Sequence, residues 1–66
     1  MSRGLKAFRA KYDISVSKMA ETIKKHERTY TKKEKMDSFE QGEMIAIRDY
    51  LRRYEKDVTI EQLFFD

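Results

Sequence analysis

Apolar residues recur at intervals of three and four along much of this chain, the spacing that puts them on one face of an α-helix. Three stretches show this pattern clearly, and we predict helices over about 5–12, 16–23 and 41–53. Their inward-facing residues are expected to be Leu5, Phe8 and Tyr12; Met19, Ala20 and Ile23; and Met44, Ile47 and Leu51. The chain has no Pro and only two Gly, which favours helices over β-hairpins.

Two further segments complete the pattern. Residues 27–33 are predicted to form a short helix in which Tyr30 alone packs inward and the rest faces solvent. A final short helix should follow Thr59, a good N-cap, and should bring Leu63 and Phe64 into the core. Ser15 is predicted to cap the second helix in the same way. We therefore predict an all-α fold, one small domain of five helices over residues 1–66.

Composition restricts the possible functions. A chain of 66 residues can build one small core and buries only about 60% of its unfolded surface. It has no Cys and one His, so we expect no disulfide, no metal site and no cofactor. The absence of a long apolar run and of a signal peptide predicts a soluble, cytoplasmic protein without a membrane partner. No catalytic constellation or phosphate-binding Gly-rich loop is recognisable, so we expect neither an enzyme nor a small-molecule ligand.

Charge is divided unevenly between the two halves of the chain. Residues 1–35 contain eleven Lys or Arg against four acids, a net charge of +7, whereas residues 36–66 contain four against eight, a net charge of −4. The two sum to the formal net charge of +3. Such asymmetry within one small domain indicates one face that attracts a polyanion and another that is turned away from it.

The segment from Ser15 to Glu34 has a recognisable spacing, with small Ala20, apolar Ile23, apolar Tyr30 and an acid at 34. Together with LKAFR upstream and EMIAIRDYL and VTIEQLFF downstream, it resembles the phage repressor and Cro-like (XRE-type) helix-turn-helix DNA-binding family. The resemblance covers nearly the whole chain and rests on agreement over five segments. It implies a lambda-repressor/Cro-like domain with its helix-turn-helix at about 16–33, acting as a small phage-type repressor, a homodimer on palindromic operators.

The resemblance also assigns DNA contacts. The residues that match the family's base-facing positions in the major groove are Glu27, Arg28, Thr31 and Lys32. Those placed to touch phosphates are Ser15, Ser17, Lys18, His26, Thr29, Lys33 and Lys35. For Ser17 and Lys18 an ordinary position in the first turn of a helix explains the residues equally well, and His26 is better explained as a capping or solvent-exposed residue.

The chemistry of the predicted base-facing residues constrains the target. Arg28 can bind guanine O6 and N7 with both arms of its guanidinium, and Glu27 can accept a hydrogen bond from cytosine N4. The helix has no Asn or Gln to bind adenine, since the only Gln residues are Gln41 and Gln62. We therefore predict that the principal half-site position is a G·C pair bound by Arg28.

Two structural features are implied by the same resemblance. Arg9 and Glu34 occupy positions that form an ion pair in the family, which would orient the third helix on the first. Lys24 stands where the family usually has Gly, because the backbone there tends toward positive φ. A Lys at this position predicts either strain of about 1 kcal/mol or a turn of different geometry.

The C-terminal half offers a possible dimer contact. Phe65 cannot face inward together with Leu63 and Phe64, and an exposed Phe beside Tyr50 or Tyr54 would form a small patch typical of an interface. A frayed terminus is an equally good explanation.

Two functions of different classes remain open. One is sequence-specific binding of double-stranded DNA. The other is an antitoxin-like protein-interaction module with the same fold and weak non-specific DNA binding. Binding to DNA weakens steeply with salt, whereas binding through an apolar protein interface does not. Non-specific RNA binding ranks third, because no RNP-type aromatic motif supports it.

Overall fold

Five α-helices form the chain over residues 3–65, the part that the computed structural model describes, and none of these residues lies in a β-strand. The helices are α1 (Arg3–Tyr12), α2 (Val16–Thr22), α3 (Glu27–Met36), α4 (Gln41–Leu51) and α5 (Ile60–Phe64). The predicted all-α class is therefore confirmed for this part of the chain. Residues 1, 2 and 66 of the predicted domain lie outside the described residues.

Two helix ends differ from the prediction. The third helix was predicted to end at Lys33, but α3 continues to Met36 and ends where Asp37 adopts a left-handed conformation with φ of 57°. The Ser38 N–H then donates to the Lys33 carbonyl at 3.0 Å, which closes the last turn. Conversely α4 ends at Leu51, two residues before the predicted end, and Arg52 Nε there donates to the Val58 carbonyl at 3.1 Å. These ends depend on backbone conformation and on hydrogen bonds made by the residues that follow each helix, which periodicity does not report.

Side chains satisfy the free backbone groups at three helix starts. Ser15 Oγ accepts from the Lys18 N–H at 3.2 Å, and Thr59 Oγ1 accepts from the Gln62 N–H at 3.2 Å. Both predicted N-caps are therefore confirmed. At the start of α4, Glu43 Oε1 accepts from the Glu40 N–H at 2.9 Å, an interaction not predicted from the sequence.

The core lies between the two halves of the chain. α2 packs on α3 and α4, and α5 packs on α1 and α4. The buried apolar residues are Leu5, Phe8, Ile14, Met19, Ala20, Ile23, Tyr30, Phe39, Ile47, Leu51, Val58, Leu63 and Phe64. Phe39 joins the two halves, because its ring centroid lies 5.5 Å from those of both Tyr30 and Phe64.

Most of the predicted inward-facing residues are buried. Two of them, Met44 and Tyr12, only pack against the edge of the core. Glu43, which was not predicted to face inward, is buried with 8% exposure. Glu43 lies four residues before Ile47, so it occupies the inward stripe of α4 where an apolar residue would be expected.

The helices α1 and α5 approach closely at Gly4. A Cβ built at this position would lie 1.7 Å from the backbone carbonyl oxygen of Gln62. No side chain fits there, so Gly4 permits a contact that holds the N-terminal helix against the C-terminal one.

Candidate nucleic-acid interface

The unit of α2, a four-residue connection and α3 carries the predicted site. Lys24 adopts φ of 58° in this connection, so of the two alternatives, a strained backbone or a turn of different geometry, the chain has the positive φ that favours Gly. Its N–H donates to the Glu21 carbonyl at 3.1 Å, and the Lys25 N–H donates to the Ala20 carbonyl at 3.0 Å. The resulting turn ends α2 and leads directly into α3, at a cost of about 1 kcal/mol of backbone strain.

Helix α3 divides into an outward and an inward face. Arg28, Thr31, Lys32 and Lys35 are exposed, and spacings of three and four residues place them along one side. Glu27 is exposed in the first turn. All four residues predicted to face bases (Glu27, Arg28, Thr31 and Lys32) are thus available to a partner.

The inward face is held first by Tyr30, which is fully buried, as predicted. Its Oη donates to Glu34 Oε2 at 2.6 Å, and the Arg9 guanidinium carbon lies 5.8 Å from the Tyr30 ring centroid. Burial raises the pKa of the Tyr30 hydroxyl well above its ordinary value, and the hydrogen bond to Glu34 raises this pKa further. Tyr30 therefore remains a neutral hydrogen-bond donor at physiological pH.

The predicted pair of Arg9 and Glu34 is present. Arg9 Nε and Nη2 donate to the two carboxylate oxygens of Glu34, each at 3.0 Å, and Nη1 donates to the Ile14 carbonyl at 3.1 Å. The hydrogen bond to Glu34 raises the pKa of the Arg9 guanidinium above its ordinary value. This two-pronged pair ties α3 to α1 and to the start of α2.

Lys33 has a different environment from the one predicted for a phosphate contact. Its Nζ lies 3.1 Å from Glu43 Oε1, with side-chain exposures of 18% for Lys33 and 9% for Glu43. Because the ammonium is turned inward to α4, a contact with phosphate would require this ion pair to open. We therefore leave Lys33 out of the interface proposed below.

Most of the other predicted phosphate contacts are exposed. Ser17, Lys18, His26 and Lys35 are exposed, and Thr29 is half-buried. Ser15 is exposed but uses its Oγ to cap α2. His26 is the N-cap residue of α3 without a capping hydrogen bond from its side chain. Since α2 has only seven residues, its dipole is small, and attraction of a phosphate there depends mainly on the Lys18 ammonium.

The surface of this unit is basic. Within residues 15–36 the exposed cations are Lys18, Lys24, Lys25, Arg28, Lys32 and Lys35, and the exposed acids are Glu21 and Glu27. The excess of exposed positive charge is four, from six cations and two acids. Most of the positive charge in this part of the sequence is therefore exposed on this unit.

The three residues of the predicted dimer contact are all at least partly exposed. The Tyr50 and Tyr54 rings lie 6.0 Å apart, and the Tyr54 ring also lies 5.2 Å from that of Tyr12 on α1. Tyr54 is 38% exposed and Phe65 is 69% exposed, while Tyr50 is half-buried. The dimer contact stays a prediction.

Glu43 is the residue of this region that sequence reasoning missed. The available signal was its position four residues after Phe39 and four before Ile47, within the inward stripe of α4. An acid in such a stripe needs a cation on a facing helix. The sequence shows the acid but not which of its Lys or Arg residues faces it.

Residues 3–65 contain no group of three or more His, Cys, Asp or Glu side chains arranged to hold a metal ion. No helix among these residues is both long and apolar enough to cross a membrane. Comparisons with family models, with curated proteins and with solved structures found no match to the chain.

Proposed function

We propose that this chain binds double-stranded DNA in a sequence-specific manner, as a small phage-type transcriptional regulator with a lambda-repressor/Cro-like helix-turn-helix. The observation that carries the proposal is the division of α3. Its outward face presents Arg28, Thr31, Lys32 and Lys35, while its inward face is tied down by Tyr30 and two ion pairs. A rigidly held helix with a basic, polar outer face is suited to the major groove.

In this arrangement α3 enters the major groove and α2 crosses the phosphate backbone. Arg28 binds guanine through two hydrogen bonds, Glu27 accepts from cytosine N4, and the Thr31 methyl contacts thymine. Lys32 lies one turn beyond Arg28 and reaches the next bases.

The remaining contacts set the affinity for DNA and the position of the protein along the duplex. Lys18 and Lys35, with Ser17, His26 and Thr29, bind phosphates and hold the protein on the duplex. We propose that two copies bind a palindromic operator in the cytoplasm of a bacterial host and repress transcription by occupying it. No cofactor, metal or small-molecule ligand takes part.

Selection of binding sites from a randomised duplex pool at near-physiological salt tests this proposal. The full chain is compared with Arg28→Ala and with Lys56→Ala, which removes one cation from an exposed turn far along the chain. We expect a two-fold symmetric site from the wild type and from Lys56→Ala, with a G·C position that relaxes only in Arg28→Ala.

Three outcomes would contradict the proposal in different ways. Salt-sensitive retention without an enriched site would show non-specific binding, and a selected site with only A·T pairs under α3 would exclude the role of Arg28. No retention of any duplex would favour the alternative, an antitoxin-like protein-interaction module.

A further inference from the structure

Helix α3 has little apolar surface with which to set its own orientation. Of its ten residues, all within the described part of the chain, only Tyr30 is buried. Hydrophobic contact is not directional, so one apolar anchor leaves a helix free to turn about its own axis. The direction in which Arg28 and Lys32 point must therefore depend on contacts that are directional.

Two such contacts lie on opposite sides of Tyr30. With about 100° of rotation per residue, Glu34 lies about 40° to one side of Tyr30 and Lys33 about 60° to the other. Glu34 is held by Arg9 of α1, and Lys33 is held by Glu43 of α4. Because the two partners belong to different helices, each contact opposes rotation of α3 toward the other.

The chemistry of Glu43 is unusual for a residue that only adds stability. Its Oε1 accepts from the Glu40 N–H at 2.9 Å and lies 3.1 Å from Lys33 Nζ in an ion pair. Its Oε2 is buried and has no hydrogen-bond partner among the described residues. Removing two charges from water offsets most of their attraction, and an unpaired buried oxygen is a further cost. The Lys33–Glu43 pair therefore adds little to the stability of the fold, but it fixes the relative position of two side chains on different helices.

We propose that Glu43 is a positioning residue for the DNA-binding face, acting through Lys33 to set the rotation of α3. The orienting of α3 by the Lys33–Glu43 pair is independent of what α3 binds. Only its effect on base recognition rests on the proposed DNA binding. Turning α3 by about 20° would move an atom at a radius of about 6 Å by about 2 Å. A shift of this size takes a side-chain donor out of hydrogen-bonding range of a base.

The test uses the full chain with Lys33→Met and Glu43→Leu combined. This variant replaces the ion pair with apolar side chains and leaves the net charge unchanged. The matched control combines Lys56→Met with Glu61→Leu, the same substitutions at two exposed positions. Lys33→Arg is the conservative variant, because a guanidinium can reach both oxygens of Glu43. Glu43→Gln, which has the same shape, provides the test if the double variant does not fold.

The first measurement is made without DNA. Residual dipolar couplings of the α3 amides, referred to α1 and α4, report the orientation of α3 in each variant. We expect α3 couplings to change in the Lys33→Met/Glu43→Leu variant and to stay at wild-type values in the exposed control and in Lys33→Arg. Unchanged α3 couplings in a folded double variant would overturn the proposal.

The second measurement compares binding to the selected duplex with binding to a scrambled duplex. We expect the ratio of the two affinities to fall about tenfold in the double variant, the loss of roughly one bidentate base contact, and Lys33→Arg to keep the wild-type ratio. A ratio within twofold of wild type, despite rotated α3 couplings, would show that the rotation has no effect on base recognition and would also overturn the proposed role. If the wild type binds no duplex while α3 still rotates in the double variant, the positioning geometry stands and the DNA-binding function fails.

Discussion

The guanidinium of Arg9 and the carboxylate of Glu34 meet through two hydrogen bonds of 3.0 Å, although 25 residues separate them in the chain. The same carboxylate accepts from the Tyr30 hydroxyl. Glu34, near the end of α3, therefore contacts both Arg9 of α1 and the buried Tyr30 of α3. With side-chain exposures of 17% and 11%, this pair is shielded from solvent far more than the exposed pair of Lys11 and Glu55.

Breaking this pair should destabilise the fold. Glu34→Gln keeps the shape of the side chain but removes the charge that Arg9 and Tyr30 bind. We expect a loss of about 1 to 2 kcal/mol in the free energy of unfolding, measured by urea denaturation. Arg9→Met should cost a similar amount, and the two losses should not add in the double variant, because both remove one interaction.

The control for that measurement is Lys11→Met, which breaks an exposed ion pair. Exposed pairs are screened by water and salt, so the change should be clearly smaller than for Glu34→Gln. Equal effects from both substitutions would contradict the special role of the Arg9–Glu34 pair.

Tyr30 should make stability depend on alkaline pH. Its pKa is raised in the folded state, first by burial and then by the hydrogen bond to Glu34. Above the ordinary value of 10.0, the unfolded chain loses this proton while the folded chain keeps it. The unfolded state then binds fewer protons than the folded state. The contribution of Tyr30 to the free energy of unfolding is therefore fully present below about pH 10, and the free energy of unfolding falls by up to about 1.4 kcal/mol per pH unit above it.

Urea denaturation between about pH 9 and about pH 11 would measure this effect, with Tyr30→Phe as the comparison. The wild type should lose more stability over this interval than the variant, which has no hydroxyl to titrate at this position. Parallel losses would mean that the decline comes from other groups.

The two glycines provide a matched pair of substitutions. A Cβ at Gly4 would lie 1.7 Å from the Gln62 carbonyl oxygen, whereas a Cβ at Gly42 would have nothing within 4 Å. Gly4→Ala should therefore destabilise the protein by about 2 kcal/mol or more, since α1 and α5 must separate. Gly42→Ala lies in α4 and should stabilise it by about 0.5 to 1 kcal/mol. Thermal unfolding of both variants would show shifts of opposite sign, and shifts of the same sign would disprove the close approach.

Lys18 tests the proposed phosphate contacts independently of base recognition. Lys18→Ala should weaken binding to all duplexes by a similar factor and should reduce the slope of log affinity against log salt by about 1. Fluorescence anisotropy over a salt series measures this slope, and Lys56→Ala should leave it unchanged. An unchanged slope in Lys18→Ala would place α2 away from the backbone.

Local sequence patterns predicted much of this fold correctly. The apolar stripe of α2, the burial of Leu5 and Phe8 on α1, the caps at Ser15 and Thr59, and the burial of Tyr30 depend on residues within a few positions of each other. Short-range spacing therefore contains enough information to place them. The φ of Lys24 was left open by the sequence, which allowed either a strained positive φ or a turn of different geometry, and the structure has the positive φ.

Other features depend on which helices face each other. Spacing and composition along the chain were sufficient to predict the helices, their apolar faces and the concentration of positive charge in the first half. The packing of α3 against α4 instead sets the ion pair of Lys33 with Glu43, which turns Lys33 away from the basic surface. Spacing could not predict this pair, because helical periodicity is a property of neighbouring residues. The partner of a buried charge is set by the packing of helices whose residues are distant in the chain.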